Sequence, residues 1–245
     1  MKLINQKPTR ITSIPVSGVC LTKSITDVLS SESWAGKRCL IFGGGPSLQD
    51  FNYSLIANEI TVGVNKSFMI FDPTVNYCMD YTFFERVTDS QEDPLMIKRW
   101  KEYTGIRVFL KHNNKMIFSN DVYTVDKIEK EIISTDLKAG IYGSNNSGLG
   151  AIMLAIALGS RNIGLLGFDM KTYNNKTHWH TGYRKSNVSV DYYIDKVGRV
   201  LDDFKKKFEI IAPLIELAGV KVVNLNNDSA LQCFKKITIQ EFLKI

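Results

Sequence analysis

The feature that most constrains the fold is a short apolar run that ends in three consecutive glycines. Residues 39–42 are long enough for one buried strand, and Gly43–Gly45 follow directly. Pro46 suits the first position of a helix, because its φ is fixed and it has no N–H to lose. We predict that this helix runs to about Ala57. The stretch therefore indicates a sharp turn from a strand into a helix.

Such a turn is either a plain connection or an anion site. Glycines let the backbone come close to a ligand, and the free N–H groups of a helix start attract a phosphate. The stretch contains neither Gly-Lys-Ser/Thr nor the full G-x-G-x-x-G pattern, so it matches neither standard phosphate loop. The rest of the sequence is needed to distinguish a plain connection from an anion site.

Strands and helices alternate along that remainder. Further strands are predicted over residues 59–65, 75–79, 106–110, 162–167 and 220–225. Helices are predicted over residues 82–87, 94–103, 151–158 and 238–243, with a long helix from Val190 and a new segment from Pro213. This alternation predicts an α/β fold, a mostly parallel sheet with helices on both faces. We assign residues 37–245 to one Rossmann-like domain and residues 1–36 to a peripheral lead-in.

Polar side chains stand at the ends of the predicted strands. Ser47 follows the glycines, Asn65 ends the second strand, and Asp80 and Asp169 follow the third and fifth strands. Ser147 leads into the apolar run of the predicted buried helix. Because ligands bind at the carboxyl ends of parallel strands, we expect these side chains to surround one cleft.

The composition is that of an ordinary globular protein with a net charge of +6. This charge suits an anionic ligand such as a nucleotide, an acidic sugar, a phospholipid surface or nucleic acid, but no basic and aromatic stripe supports nucleic acid. The four cysteines are far apart, so we expect neither disulfides nor a zinc site. The sequence shows no signal-peptide core and no apolar run of transmembrane length. We expect a cytoplasmic protein and leave a homo-oligomer open.

A polar loop over residues 170–187 holds most of the candidate catalytic groups. His178 and His180 flank Trp179, and histidine is suited to proton transfer near neutral pH. We predict His180 as a general base, with His178 second and Tyr183 third. The groups suited to the phosphates and sugar of a donor are Tyr173, Tyr183, Arg184 and Lys185. The loop has almost no aliphatic residue, so we expect it to be mobile without ligand and to close over the donor.

Four motifs occur in order along the chain: Phe-Gly-Gly-Gly-Pro-Ser-Leu48, Gly-Val-Asn-Lys-Ser67, Asn-Ser-Gly148 and Leu-Gly-Phe-Asp169. They resemble motifs of the bacterial lipooligosaccharide sialyltransferases, which use CMP-sialic acid. They also resemble a broader family that includes motility-associated flagellin glycosyltransferases and archaeal-type 6-hydroxymethylpterin diphosphokinases. The likeness covers residues 37–245. It implies a Rossmann-like transferase domain of the GT-A-variant type, a nucleotide-sugar donor and a histidine general base.

The same resemblance implies which residues hold the donor. They are Gly43, Gly44, Gly45, Ser47, Asn65, Ser147 and Gly148. Gly44 stands where the sialyltransferase pattern has Asn, which removes one expected hydrogen bond to the nucleotide. The histidine pattern of the loop also fits the family imperfectly, so His180 and Tyr183 both remain open as the base.

Two activities and one non-enzymatic role follow from these observations. In glycosyl transfer from a CMP- or NDP-sugar, Asp80 and Asp169 would hold ribose hydroxyls. In diphosphoryl transfer from ATP, the same two carboxylates would hold Mg²⁺. A nucleotide-binding protein without catalysis is the third reading. The remaining histidine, His112, is isolated in the sequence, and we expect it at the surface.

Overall fold

Ten strands form one sheet in the part of the chain that the structure describes. This computed structural model describes residues 22–88, 93–113, 116, 118–143, 145–180 and 188–245. The strands are β1 (Lys23–Ser24), β2 (Arg38–Phe42), β3 (Ile60–Val64), β4 (Val75–Cys78), β5 (Ile106–Lys111), β6 (Val122–Ile128), β7 (Ile141–Tyr142), β8 (Asn162–Leu166), β9 (Lys221–Asn224) and β10 (Lys235–Lys236). The α-helices are α1 (Tyr81–Thr88), α2 (Pro94–Glu102), α3 (Ser147–Ala157), α4 (Val190–Leu217) and α5 (Ile239–Phe242).

The strand order is β1-β6-β5-β4-β3-β2-β8-β9-β10, and β7 pairs with β6 beside this order. Each pairing between these strands is parallel. From β2 the chain moves outward through β3, β4 and β5, and it returns at β8 on the other side of β2. This reversal is the topological switch point of an open α/β sheet, where ligands bind. The predicted fold class is confirmed.

Strand β2 shows how the sheet is covered on two faces. Cys39 and Ile41 point into a core cluster that contains the buried residues of α3 and α4. Leu40 and Phe42, which alternate with them, point into a second cluster that includes Phe242 of α5. Because side chains alternate along a strand, helices must lie on both faces of the sheet.

Helix α3 is the central helix of the fold. Residues 151–158 were predicted to be buried on nearly every side, and residues 149–158 are all buried. Gly159, at φ +101°, follows the helix end. The helix start, capped by Asn146, lies at the carboxyl edge of the sheet. This placement brings the positive end of the α3 dipole close to the switch point.

The predicted helix from Pro46 to Ala57 is wrong. The structure instead has two 3₁₀ turns, Pro46–Leu48 and Tyr53–Ile56. Between them Asn52 is extended, and its side-chain oxygen accepts hydrogen bonds from the N–H and hydroxyl of Ser54. An asparagine that bonds its own neighbours in this way competes with helical backbone bonding, which explains the interruption.

Three further expectations differ from the structure. Helix α4 continues through Pro213, which lies on its exposed face while Ile211 and Ile215 anchor the helix in the core. The stretch from Lys111 to Tyr142, for which no defined element was predicted, contains all of β6 and β7. The described part of the lead-in adds strand β1 and buries Ile25 and Trp34. The division into lead-in and domain stays a prediction.

Candidate functional site

A cleft of about 370 Å³ lies at the carboxyl ends of the strands around the switch point. It is bounded by the glycine turn, the start of α3, the loop after β8 and two residues of α4. The polar groups that line it include Asn65, Lys66, Asp80, His112, Asn146, Ser147, Asp169, Lys171, His178 and His180. The apolar side chains on its wall include Met79, Phe168, Trp179, Leu201 and Phe204.

The glycine turn packs against the turn that follows β8. The N–H of Gly43 donates to Leu166 O at 2.8 Å, and the N–H of Gly45 donates to Gly167 O at 2.8 Å. A Cβ at Gly45 would collide with the carboxylate of Asp169. The glycines are therefore required for close packing between two protein segments, and two of their N–H groups are already bonded within the protein.

Asp169 occupies the position where the sequence had predicted a phosphate. Its Oδ2 accepts a hydrogen bond from the Ser47 hydroxyl at 2.9 Å, and its Oδ1 accepts one from Asn226 Nδ2 at 2.9 Å. The backbone N–H of Ser47 also bonds to this carboxyl group. Burial raises the pKa of Asp169, and these hydrogen bonds act in the opposite direction. The start of the 3₁₀ turn is thus neutralised by a carboxylate of the protein itself.

Asn65 lies directly after β3 in the left-handed conformation, at φ +53°. Its carbonyl oxygen accepts a hydrogen bond from Asn76 Nδ2 at 3.0 Å, which holds the backbone in place. Its side-chain Oδ1 is buried and has no hydrogen-bond partner among the described residues. Asn65 thus combines a left-handed backbone with a buried acceptor that lacks a described partner, and the residue lines the cleft.

Asn146 presents the complementary group. Its Oδ1 caps α3 by accepting hydrogen bonds from the N–H groups of Gly148 at 2.9 Å and Leu149 at 3.1 Å. The side chain is buried, with 3% of the residue exposed, and its Nδ2 has no hydrogen-bond partner within the described ranges. A buried amide donor at the positive end of α3 favours an acceptor or an anion in the cleft.

Two side chains follow the neighbouring strands β4 and β5. Asp80 is exposed to the cleft, and its surroundings raise its pKa by desolvation, whereas the charge of His112 lowers it. His112 is half-buried, and its Nε2 lies 2.9 Å from Met79 O. Since a carbonyl oxygen only accepts, this ring nitrogen carries the proton. His112 lines the cleft, so the expectation of a plain surface histidine is wrong.

His178 and His180 stack on each other with ring centroids 5.0 Å apart. Burial and the charge of Lys66 lower the pKa of His178 to about 4. Burial, His178 and Lys66 lower the pKa of His180 to about 3. Both rings are therefore neutral across the physiological pH range.

The described part of the loop after β8 is attached to the glycine turn. The N–H of Trp179 donates to Gly44 O at 3.1 Å, and Lys176 Nζ donates to Gln49 Oε1 at 2.8 Å. A Cβ at Gly44 would lie 2.9 Å from His178 Cδ2, so His178 fills the space beside this glycine. Closure of the loop over a donor stays a prediction.

The structure brings most of the predicted site residues together. Those that line the cleft are Gly43, Gly44, Gly45, Asn65, Asp80, Ser147, Gly148, Asp169, His178 and His180. Ser47 and Tyr173 line a separate groove on the other side of Asp169. Tyr183 and Arg184 lie outside the described residues.

Several residues that line the cleft were not predicted as site residues from the sequence: Lys66, His112, Asn146, Leu201 and Phe204. Asn146 was detectable as an N-cap, because an asparagine before an apolar helix is the usual capping signal. Leu201 and Phe204 carry no such signal, since their spacing only marks the packed face of a helix.

The assignment of Asp80 and Asp169 as magnesium ligands stays a prediction. Both residues line the same cleft, and each oxygen of Asp169 accepts a side-chain hydrogen bond from a protein donor, although a carboxylate oxygen has two lone pairs. No group of three or more His, Cys, Asp or Glu side chains suited to a metal ion occurs in the described part of the chain. Within the same ranges, no helix is both long and apolar enough to cross a bilayer.

Comparison with known proteins identifies a structural relative. The sialyltransferase CstII from Campylobacter jejuni, solved with the substrate analogue cytidine-5′-monophosphate, aligns with 83% of this chain and 86% of its own, with a TM-score of 0.50 and 17% sequence identity. No protein-family model and no curated protein matches the sequence. At this identity the likeness shows the fold, so the chain has a sialyltransferase-like α/β fold.

Proposed function

We propose that this protein transfers a glycosyl group from a nucleotide-activated sugar to a hydroxyl acceptor. The observation that carries the proposal is a pair of buried amide atoms without a described partner, Oδ1 of Asn65 and Nδ2 of Asn146, on two residues that line the cleft. A buried polar atom without a partner costs about 1–3 kcal/mol. A ligand with both hydrogen-bond donors and acceptors would remove that cost at both residues.

A nucleotide is such a ligand. Its base and ribose carry N–H and O–H donors, and its phosphate carries acceptors. The start of α3 and the ammonium group of Lys66 supply positive potential for the phosphate. The fold likeness to a sialyltransferase solved with a cytidine nucleotide supports this class of ligand.

The same groups would assist the chemistry. When the bond between sugar and phosphate breaks, negative charge develops on the departing phosphate. The α3 dipole is fixed before the reaction, so it would stabilise that charge without rearranging, and the ammonium group of Lys66 would add to this effect. Trp179, Leu201 and Phe204 would exclude water from the reacting centre.

The proton acceptor would be one of the cleft imidazoles. His180 was predicted for this role from its loop position, with His178 second. Their pKa values of about 3 and about 4 make both rings weak bases in the present arrangement. They are better suited to contact the donor as neutral rings.

The alternative activity is diphosphoryl transfer from ATP. Bound Mg²⁺ would supply charge neutralisation between the β- and γ-phosphates. The hydrogen bonds that occupy both oxygens of Asp169 disfavour this alternative, because Asp169 is needed to hold the glycine turn against the turn after β8.

A thermal-shift panel tests the class of ligand. We would add CMP, CDP, UDP, GDP, ADP and ATP to the protein, each with and without Mg²⁺. Binding to the native state raises the melting temperature with ligand concentration. We expect a response to cytidine or uridine nucleotides that does not need Mg²⁺. A response only to ATP with Mg²⁺ would support the diphosphokinase instead.

A consumption assay then tests the reaction. CMP-sialic acid, UDP-glucose and UDP-N-acetylglucosamine would each be incubated with the protein, and release of the nucleotide followed by chromatography. We expect catalytic release from at least one donor. Binding without release from any donor would favour a nucleotide-binding protein that has no transferase activity.

A further inference from the structure

We propose that His112 is the general base that takes the proton from the acceptor hydroxyl. The inference rests on the proposed glycosyl transfer and assigns a catalytic residue within it. His112 takes this role in place of the loop histidines. The evidence comes from the edge of the sheet where β4 and β5 end.

The fold brings His112 to the cleft through strand pairing. β4 and β5 are parallel neighbours, with Cys78 opposite Phe109, so both strands end at the same edge. Asp80 leaves β4 and His112 leaves β5 at this edge, and both side chains line the cleft. Residues on rigid strand ends hold a catalytic geometry better than residues on long loops.

One hydrogen bond fixes both the ring and its proton. Nε2 of His112 donates to Met79 O at 2.9 Å. In the neutral ring, the lone pair must therefore be on Nδ1, which is the nitrogen that can accept a proton. Met79 O orients the ring, as a carboxylate or carbonyl oxygen does for other catalytic histidines.

Asp80 supplies the charge that such a base needs. Asp80 and His112 line the same edge of the cleft, and the charge of His112 lowers the pKa of Asp80 against the larger, opposite effect of its desolvation. After proton transfer the ring becomes an imidazolium, and the Asp80 carboxylate would stabilise it. Asp80 thereby gains a role that requires no metal ion.

The loop histidines lie in a contrasting setting. His178 and His180 stack on each other beside Lys66, so a proton added to either ring would face a positive charge at once. General-base catalysis is most efficient when the pKa of the base is close to the working pH. The surroundings of the loop pair thus oppose proton uptake, whereas His112 leaves the end of a strand and is oriented by Met79 O.

The reaction step balances as a direct displacement. The acceptor O–H bond breaks and its proton goes to Nδ1 of His112, while the acceptor oxygen forms a bond to the anomeric carbon. The bond from that carbon to the phosphate oxygen breaks, and its electron pair leaves with the phosphate. No oxidant or reductant is involved.

The test compares three variants on the donor that the parent consumes fastest. Glutamine at position 112 can keep an N–H donor near Met79 O but cannot act as a base, so the key variant is His112→Gln. We expect kcat to fall about 10²- to 10⁴-fold for His112→Gln and His112→Ala, with little change in donor KM. Added imidazole should restore part of the activity of His112→Ala. His180→Ala should lose much less.

The outcomes separate the inference from the proposed function. If the parent consumes a donor and His112→Gln keeps the parental kcat, the inference is wrong while the transferase remains. A large loss in His180→Ala with an unchanged His112→Gln would return the role to the loop. If the parent consumes no donor, the proposed function fails and the assignment of a base fails with it. Thermal melts of each variant show whether it is folded.

Discussion

The cleft has two walls with opposite hydrogen-bonding states. On the glycine-turn wall, the N–H groups of Gly43 and Gly45 and both carboxylate oxygens of Asp169 are bonded within the protein. On the amide wall, Asn65 and Asn146 each keep one buried polar atom without a partner among the described residues. These groups of the first wall have partners without a ligand, whereas the two amide atoms of the second wall would gain partners from one.

This difference indicates which wall of the cleft is better suited to bind a ligand. The glycine run is the most conspicuous motif of the sequence, yet the structure assigns it to packing against Gly167 and Asp169. The buried polar atoms that lack a described partner belong to Asn65, which follows a strand, and to Asn146, which caps a helix. The two walls should therefore respond to substitution in different ways, one in stability and the other in binding.

The largest effect is expected on the glycine-turn wall. Gly45→Ala would force the Asp169 carboxylate away from its donors, so we expect the free energy of unfolding to fall by about 3 kcal/mol or more. Chemical denaturation measures this. Gly198→Ala is the matched control, because nothing lies within 4 Å of a Cβ at Gly198 inside α4. The control should gain up to about 1 kcal/mol. Equal stability of Gly45→Ala and parent would contradict a packing role.

The amide wall should respond in binding. Asn146→Asp keeps an oxygen that can cap α3 but replaces the unpaired donor Nδ2 with an acceptor. We expect nucleotide affinity to fall about 10-fold or more. Calorimetric titration measures this, with the exposed Asn227→Asp as a control for the added charge. Parental affinity in Asn146→Asp would remove Asn146 from the binding site.

The smallest effect concerns pH and the stacked histidines. Their native pKa values of about 4 and about 3 lie below the ordinary value of 6.5, so the unfolded state binds more protons between those limits. The free energy of unfolding therefore decreases as pH falls through that window. When the pH is lowered from 7 to 5, the melting temperature of both proteins should fall. The fall should be roughly 5 °C smaller for the double variant His178→Gln/His180→Gln than for the parent. Identical losses would show that burial of the rings is not coupled to folding.

The fold could be predicted from the sequence to the extent that each element carries its own pattern. The apolar runs located β2, β3, β4, β5, β8 and β9, and the uniformly apolar run of α3 predicted its burial. The helix predicted over residues 238–243 is present as α5, and it begins with a capping box of Thr238 and Glu241. The helix after Pro46 was misjudged because Asn52 bonds locally to Ser54, a competition that periodicity does not show.

The site was predictable only in part. Strand ends pointed to Asn65, Asp80 and Asp169, since parallel strands must end at one edge. The partners of Asp169 could not be foreseen, because Ser47 and Asn226 lie 122 and 57 residues away in the chain. His112 was expected at the surface because it is isolated in the sequence, and its partner Met79 O, just after β4, lies 33 residues away in the chain.

The most direct test of the account is a crystal structure with the nucleotide that gives the largest thermal shift, with CMP as the first choice. We predict that the nucleotide lies in the cleft at the switch point, with its phosphate at the start of α3. It should form hydrogen bonds to Oδ1 of Asn65 and Nδ2 of Asn146. A nucleotide bound instead in the groove beside Ser47 and Tyr173, or elsewhere with both amides still unpaired, would contradict it.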